Sequence, residues 1–271
     1  MNTTPSDTVQ IAVHGASGRM GQAILRASFE YPAVQVSAAL VRPGSGLTDC
    51  ALREILGPDA PDLDFRSALD PETPVDVLVD FSGHKAFDAA LALALHRRVA
   101  FLSGTTGLSG TQMTALDRAA QAIPVLWSSN FSLGVALLMR LARLAAQALP
   151  DWDCEIVEIH HRRKIDAPSG TALSLGEAIA AGRGVALAEK AVHGRSGQTG
   201  PRPPGDIGFH AVRGGDVVGE HTVILAGIGE RIEIGHRAGD RDIFAHGTLR
   251  AAAWLAGRAP GRYAMDDILG T

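Results

Sequence analysis

Val9-Gln10-Ile11-Ala12-Val13-His14 runs directly into Gly15-Ala16-Ser17-Gly18-Arg19-Met20-Gly21, and this junction decides the fold of the 271-residue chain. The first segment is a short apolar run typical of a buried strand, and a helical pattern follows the last glycine. Glycines at this spacing allow a tight turn and let backbone N–H groups approach a pyrophosphate at a helix N-terminus. The junction therefore predicts a strand, turn and helix that bind a dinucleotide, with an ordinary tight turn as the alternative.

Outward from this junction, strand and helix patterns alternate through the first half of the chain. Strands are predicted at 34–40, 75–81, 99–102 and 123–127, and helices at 84–96 and 109–122, the latter with a serine cap signal at Ser109. Residues 48–70 are expected to be irregular or partly helical, and exposed. Alternation of this kind predicts an α/β fold, a Rossmann-like doubly wound parallel sheet.

The second half of the chain has a different pattern. After a long apolar helix at 133–149, strands are predicted at 153–161, 206–213, 219–226 and 230–237, with one helix at 171–181 and a long loop at 182–205. A helical pattern returns from Asp240. We therefore expect two domains: a dinucleotide-binding domain of 1–130 plus 241–271, and an α+β domain of 131–240.

Composition excludes several classes of partner. The net charge is −4 and aromatic residues make up 5% of the chain, so neither nucleic acid nor a membrane is an expected partner. Cys50 and Cys154 lie far apart and are predicted to be reduced and buried, and the segment from Met1 to Thr8 is polar, unlike a secretion signal. These features favour a cytoplasmic protein. The histidines lack metal-ligand spacing, so no metal site is expected.

Three further predicted strands end in polar or glycine-rich turns, at 80–83, 104–107 and 128–131. In an open parallel sheet the ligand crevice lies beyond the carboxyl ends of the strands. The turns are therefore expected to converge with the glycine turn on one cofactor, although strand ends are polar in general.

Cofactor choice is predicted at the end of the second strand, Leu40-Val41-Arg42. An acidic residue there usually binds the ribose hydroxyls of a dinucleotide, and none is present. Arg42 is instead able to pair with a 2′-phosphate, with Arg19 assisting. The alternative is a solvated charge at a strand end.

The most basic stretch of the chain is His160-His161-Arg162-Arg163-Lys164, which leads through Pro168 to a helix start at Ser169-Gly170-Thr171. Dense cations beside a helix N-terminus suit a small, doubly anionic substrate, and histidine supplies a proton donor. Asp166 is expected to fix the loop through a salt bridge. A solvated basic turn is the alternative.

Together these motifs resemble dihydrodipicolinate reductases of bacterial lysine and diaminopimelate synthesis. The resemblance covers essentially the whole chain and includes Gly15–Gly21, Gly104–Gly107, Ser129–Ser132, Glu158–Ala172, Gly205–Phe209 and Arg213–His221. It implies reduction of 4-hydroxy-tetrahydrodipicolinate, a cyclic imine dicarboxylate, by NADPH or NADH with loss of water. It also implies a homotetramer formed through the second domain, which binds the substrate.

Carried over residue by residue, the resemblance implies that His160 and Lys164 are catalytic. His161, Lys164, Gly170 and Thr171 would hold the substrate carboxylates. Many relatives have a glutamate at the position of Val41, so its absence favours NADPH, with NADH still possible. The residues expected to hold the cofactor are Gly15, Ala16, Ser17, Gly18, Arg19, Met20, Arg42, Gly104, Thr105, Thr106, Ser128, Ser129, Asn130 and Phe131.

Two other functions fit part of the sequence. A different two-domain dehydrogenase, acting on amino acids or sugars, would explain the glycine turn but not the basic stretch. A nucleotide-sensing regulator that binds NADPH and a partner would need no acid–base cluster. We expect an enzymatic assay with the unstable substrate to distinguish the three.

Overall fold

The computed structural model describes residues 8–270 and divides into two compact units, Met1–Phe131 with Asp242–Thr271, and Ser132–Arg241. The sequence places these boundaries one residue earlier, at 130/131 and 240/241. The polar segment that precedes Thr8 lies outside the described residues. Within 8–270, no helix combines the length and apolar character needed to cross a membrane.

The elements alternate between strand and helix in the first unit and are strand-rich in the second. The strands are β1 Val9–His14, β2 Val34–Leu40, β3 Phe65–Arg66, β4 Val77–Asp80, β5 Ala100–Ser103, β6 Pro124–Trp127, β7 Asp153–His160, β8 Ala191–His193, β9 Ile207–Arg213, β10 Gly219–Ala226, β11 Arg231–Ala238 and β12 Gly261–Tyr263. The helices are α1 Arg19–Ser28, α2 Leu52–Leu56, α3 Phe87–Arg97, α4 Gly110–Ala119, α5 Leu133–Ala148, α6 Gly170–Arg183, α7 Leu187–Lys190 and α8 Asp242–Leu255, followed by a 3₁₀ turn at Asp267–Leu269.

The first unit is built on a seven-stranded sheet in the order β12-β6-β5-β4-β1-β2-β3, and every strand pair in it is parallel. The chain proceeds from β1 outward to β3 on one side, then returns and proceeds from β4 outward to β12 on the other. The point where the direction reverses therefore lies between β1 and β4, which is where such sheets bind ligands. The predicted doubly wound fold is confirmed.

Burial on both faces explains why the central strands of this sheet are mostly apolar. All four residues of β4 and of β5 are buried. Helices α3 and α4 contribute Phe87 and Leu116 to the core on one face, where the Phe87 ring meets Phe101 edge-on at 5.8 Å. Helices α1 and α8 pack together, and α8 also contacts the central strands.

The second unit is a mixed sheet in the order β11-β10-β7-β9-β8, with β7 antiparallel to β10 and parallel to β9. Alternate residues of β7, such as Cys154 and Ile156, are fully buried and share a core with α5 and α6. The residues between them, such as Val157 and Ile159, are only partly buried. Helices therefore cover one face of the sheet, and the other face is open.

Several short elements differ from the sequence predictions. Helix α7 and strand β8 lie within the predicted loop 182–205. Within 48–70, α2 agrees with the expected partly helical structure, whereas β3 was not expected. Strand β12 follows the last helix. The short strands β3, β8 and β12 have only two or three residues, which is too few to show the alternating pattern of a strand.

Three other expectations are corrected. The second unit packs two long helices against its sheet, α5 as well as α6, where one was expected. Segment 48–70 is not uniformly exposed, because the side chains of Leu52 and Phe65 are fully buried. Cys50 is partly exposed, and only Cys154 is buried.

Candidate active site

The glycine turn after β1 has a shape that only glycine permits. Gly15 has φ of +83°, and a Cβ there would come within 2.7 Å of the Phe81 carbonyl oxygen, which belongs to the turn after β4. A Cβ on Gly21 would lie 2.3 Å from the Gly15 carbonyl oxygen. The first turn of α1 is thereby held against the end of β1, at the reversal point of the sheet.

The start of α1 fits the pyrophosphate of a dinucleotide. Its N-cap is Gly18, no side chain caps its N–H groups, and its first turn holds no acidic residue. An uncapped helix N-terminus presents N–H donors and partial positive charge to an anion. The residues present therefore fit the cofactor that the sequence predicts.

Asp80 joins the strand ends around this turn, a function that sequence analysis did not assign. Its carboxylate is fully buried at the end of β4. It accepts hydrogen bonds from Ser82, from Ser103 at 2.9 Å and from Thr105 at 2.8 Å, and it lies 3.0 Å from His14 Nδ1. The ends of β1, β4 and β5 are thus fixed together.

The ionised state of Asp80 follows from these contacts. Burial alone would raise the pKa of Asp80, but hydrogen bonds from His14, Ser82 and Thr105 hold that pKa below its usual range. A buried charge of this kind is stable only when its hydrogen bonds are made. Asp80 therefore stays ionised and keeps the turns in place.

The other predicted cofactor residues also follow the carboxyl ends of parallel strands. Arg19 and Arg42 are exposed, and Val41 is 3% exposed with its N–H bound to the Arg66 carbonyl. Two side chains are already engaged within the protein. The Thr105 hydroxyl donates to Asp80, and the Phe131 ring is buried 5.4 Å from the Phe81 ring.

In the second unit, the basic stretch begins where β7 ends. His160 is the last residue of β7 and is 9% exposed, while His161 lies in the following turn with its Nδ1 buried and without a hydrogen-bond partner. Arg162 and Arg163 are exposed. Lys164 Nζ lies 2.8 Å from Asp166 Oδ1, the expected salt bridge. The stretch therefore divides into an inner pair, His160 and Lys164, and an outer solvated pair.

The helix start predicted after this stretch is present. Ser169 is the N-cap of α6, and its hydroxyl oxygen accepts a hydrogen bond from the Ala172 N–H. Gly170 and Thr171 are the first two residues of the 14-residue helix. Their N–H groups lie at the positive end of the helix dipole, where a carboxylate is stabilised.

Sequence analysis missed two residues of this cluster, Glu158 and His221. Glu158 is 1% exposed and binds His160, Arg213 and the Ser169 N–H. His221 lies with Nε2 3.1 Å from Ser169 Oγ, and its ring meets that of His160 edge-on at 5.1 Å. Strand pairing sets Glu158 opposite His221 although they are far apart in the chain. Only the pairing of β7 with β10 reveals this contact.

Burial determines the charge of both imidazoles. It lowers the pKa of His160, an effect that Glu158 opposes and that Lys164 and Arg213 reinforce. It lowers the pKa of His221 to about 4, so this ring is neutral at physiological pH. Within residues 8–270, no group of three or more His, Cys, Asp or Glu side chains is placed to hold a metal ion.

Comparison with known proteins identifies one family across both units. The family model described as "Dihydrodipicolinate reductase, N-terminus" matches residues 9–131, and the model described as "Dihydrodipicolinate reductase, C-terminus" matches residues 134–269. The chain is 48% identical to the 4-hydroxy-tetrahydrodipicolinate reductase of Alkalilimnicola ehrlichii, covering 97% of this chain and 99% of the relative. It is 47% identical to the enzyme of the same name from Beijerinckia indica, covering 97% of each.

Solved structures share the fold at lower sequence identity. A dihydrodipicolinate reductase from Paenisporosarcina sp. TG-14 with bound dipicolinate has a TM-score of 0.76 at 24% identity, covering 95% of this chain and 97% of that one. A diaminopimelate dehydrogenase from C. glutamicum has a TM-score of 0.52 at 15% identity, covering 97% and 94%. The architecture is thus shared by dehydrogenases with different reactions, and the sequence matches carry the family assignment.

Proposed function

The chain belongs to the dihydrodipicolinate reductase family, and from this membership we infer that it is a 4-hydroxy-tetrahydrodipicolinate reductase, an oxidoreductase of lysine and diaminopimelate biosynthesis. The observation that carries the inference is the 48% identity to a curated reductase over 97% of the chain. The reaction adds a hydride and a proton to the substrate, and the hydroxyl group leaves as water.

The cofactor of this fold is a nicotinamide dinucleotide, which supplies a hydride when bound. The glycine turn and the N-terminus of α1 hold its pyrophosphate, with the turns at Gly104–Thr106 and Ser128–Phe131 completing the binding surface. NADPH is preferred over NADH because Val41 lacks a carboxylate for the ribose hydroxyls and Arg42 pairs with the 2′-phosphate.

The substrate is a small dicarboxylate, and the residues around the start of α6 hold its two carboxylates. Gly170 and Thr171 present N–H groups at the helix N-terminus, and His161 and Lys164 supply further donors. Lys164 exchanges its bond to Asp166 for one to the substrate. The dipicolinate bound to the Paenisporosarcina relative is a dicarboxylate of this class.

Proton transfer is assigned to His160 and Lys164. Hydride addition to a conjugated imine leaves negative charge that a nearby proton donor neutralises. His160 is nearly buried at the end of β7, and the ammonium group of Lys164 lies near enough to lower its pKa. Both groups therefore lie together beside the proposed carboxylate site.

The active enzyme is a cytoplasmic homotetramer formed through the second unit. Support for assembly comes from the open face of its sheet, where Val212 is 45% exposed. Apolar surfaces of this kind tend to pair with copies of themselves. Support for the location comes from the two free cysteines.

The function is tested in a coupled assay that generates the unstable substrate from pyruvate and aspartate semialdehyde. NADPH oxidation, followed by absorbance, is expected only when both precursors and the coupling enzyme are present. Omission of pyruvate is the control. NADPH binding without oxidation would favour a nucleotide-sensing regulator, and NADP⁺ reduction with an amino-acid or sugar substrate would favour another dehydrogenase.

A further inference from the structure

Glu158 is a buried carboxylate to which the proposed reaction assigns no function. Its side chain is 1% exposed, on the inner face of β7 two residues before His160. One oxygen, Oε2, lies 2.5 Å from His160 Nδ1 and accepts from Arg213 Nη1 at 2.8 Å. The other, Oε1, accepts from Arg213 Nη2 at 2.8 Å and from the Ser169 N–H at 3.1 Å.

We propose that Glu158 is a positioning residue for the reduction: it orients His160 for proton donation and fixes the start of α6, while Arg213 neutralises its charge. The proposal rests on the proposed function of His160 as a proton donor. Glu158 forms hydrogen bonds with His160, Arg213 and the Ser169 N–H, none of which is assigned to the substrate carboxylates or to the cofactor. It acts through its neighbours.

Orientation of His160 follows from the hydrogen bond to Nδ1. An ionised carboxylate only accepts, so Nδ1 must carry a hydrogen and Nε2 becomes the nitrogen that gains and loses the catalytic proton. Gly219 leaves room on that side, since a Cβ there would come within 3.0 Å of His160 Nε2. The carboxylate thus fixes both the tautomer and the ring plane.

The hydrogen bond from the Ser169 N–H to Glu158 fixes the position of the proposed substrate site. Ser169 is the N-cap of α6, and its hydroxyl oxygen also lies 3.1 Å from His221 Nε2. A single carboxylate therefore holds the proton donor and the first residues of the helix in fixed relation. Small displacements of such groups are costly in rate.

Charge balance explains Arg213. A bare carboxylate at this point would repel a dianionic substrate, and its two-pronged pair with Arg213 cancels that charge. Arg213 Nη2 also donates to the Asp166 carbonyl at 2.7 Å, which ties the basic loop to β9. Hydrogen bonds from Arg213 and His160 outweigh burial and keep the pKa of Glu158 below its usual range.

Four titratable or charged groups face His160 from the elements packed against it. Glu158 from β7 favours its protonated form. Lys164 from the turn and Arg213 from β9 disfavour it, and His221 from β10 is neutral at physiological pH. Loss of Glu158 and loss of Arg213 must therefore change the proton affinity of His160 in opposite directions.

The test compares Glu158→Gln with Arg213→Gln and with Glu155→Gln. Glu155 is a matched control because it lies on the opposite face of β7 and also binds arginine and histidine side chains, from Arg195, Arg202 and His210. Glu158→Gln is expected to lower kcat about 10–100-fold, by analogy with loss of the carboxylate that orients a metal-bound histidine. In the pH profile of Glu158→Gln, the high-pH limb, where kcat declines, should move to lower pH.

Arg213→Gln should instead move that limb to higher pH and raise KM, because the carboxylate is no longer neutralised. Glu155→Gln should leave the limb in place, with light scattering used to verify its assembly state. NMR titration of the His160 imidazole nitrogens measures the same opposite changes without turnover. It therefore separates failure of this proposal from failure of His160 as the proton donor.

If Glu158 and Arg213 had a purely structural function, Glu158→Gln and Arg213→Gln would both lose activity, but the high-pH limb of kcat would not move in opposite directions. That result, or an unchanged His160 tautomer and titration in Glu158→Gln, would overturn the proposal. If Glu158→Gln fails to fold, Arg213→Gln and Glu158→Asp still decide it. The shorter carboxylate of Glu158→Asp cannot reach His160 and Ser169 together, so it too should lower kcat.

Discussion

At the scale of single residues, the end of β2 holds the residues that we propose to select the cofactor. Val41 is 3% exposed, and its N–H is bonded to the Arg66 carbonyl. Arg42 beside it is exposed, whereas Arg66 on the neighbouring strand pairs with Asp49 and Asp64 at 2.6 Å each. Of the two guanidinium groups, Arg42 is therefore the one suited to an incoming phosphate.

We expect NADPH to be preferred over NADH by about tenfold in kcat/KM, equivalent to ~1.4 kcal/mol. Arg42→Ala should erode the preference because it removes the partner of the 2′-phosphate. Arg66→Ala, whose charge is already paired, should leave the ratio unchanged. Steady-state kinetics with NADPH and with NADH measures the ratio of the two kcat/KM values. Equal efficiency with both cofactors in the unmodified protein would contradict the assignment of Arg42 to the 2′-phosphate.

Residues whose function depends on local shape could be predicted from the sequence. Gly15 and Gly21 are examples, since the turn they form is contained within one short segment. Asp80 and Glu158 could not, because Thr105 and Arg213, which help to keep them ionised, lie 25 and 55 residues away in the chain. A carboxylate that follows a strand pattern gives no sign of such distant partners before the strands are paired.

At the scale of elements, β7 separates two ionic clusters, one buried and one partly exposed, by the alternation of its side chains. Glu158 lies on the inner face with the active-site candidates. Glu155 lies on the other face, where it binds Arg195 and Arg202 from the segment that the sequence predicted as a loop. A Cβ on Gly208 would collide with its carboxylate, so a larger residue there would displace Glu155 from its partners.

Glu155 should make the stability of the protein depend on pH. Despite burial, hydrogen bonds from Arg195, Arg202 and His210 lower its pKa from 4.5 to about 2. Its contribution is therefore complete above pH 4.5 and is lost as the pH falls toward 2. At 1.36 kcal/mol per pH unit this is about 3 kcal/mol.

Urea unfolding of Glu155→Gln measures this contribution. The variant should be less stable than the unmodified protein by about 3 kcal/mol at pH 7, and the difference should shrink below pH 4.5. A difference that is small at pH 7, or that grows on acidification, would show that the arginine cluster does not stabilise the fold.

Capping and periodicity predicted the long elements well for physical reasons. The serine cap signal at Ser109 is realised as a capping box with Gln112, two reciprocal local hydrogen bonds. Strands β3, β8 and β12 form because a neighbouring strand supplies hydrogen bonds. A sequence of two or three residues gives no sign of that partner.

At the scale of the whole molecule, the open face of the second sheet is the surface that assembly would cover. Ile159 and Val212 are register partners on it, and Thr222 and Val157 form the adjoining pair. Helices α5 and α6 cover the opposite face. The doubly wound sheet of the first unit, by contrast, has helices on both faces.

We expect a homotetramer at micromolar concentration, measured by light scattering. Val212→Glu should dissociate it, because a charge would be buried against the apolar partner face. Leu144→Glu, which places the same charge on a residue of α5 that is 49% exposed, is the control and should remain tetrameric. A monomer in the unmodified protein would refute assembly through this face.

The central claim, that His160 and Lys164 transfer the proton, is tested most directly by steady-state kinetics of His160→Ala and Lys164→Ala, with NADPH affinity measured separately by fluorescence titration. Each change should lower kcat by about 10²–10⁴-fold, the effect of losing a general acid, while NADPH affinity is retained. His161→Ala and Thr171→Ala are the comparison and should mainly raise KM. Near-normal kcat in both His160→Ala and Lys164→Ala would contradict the assignment and leave the basic stretch a solvated turn.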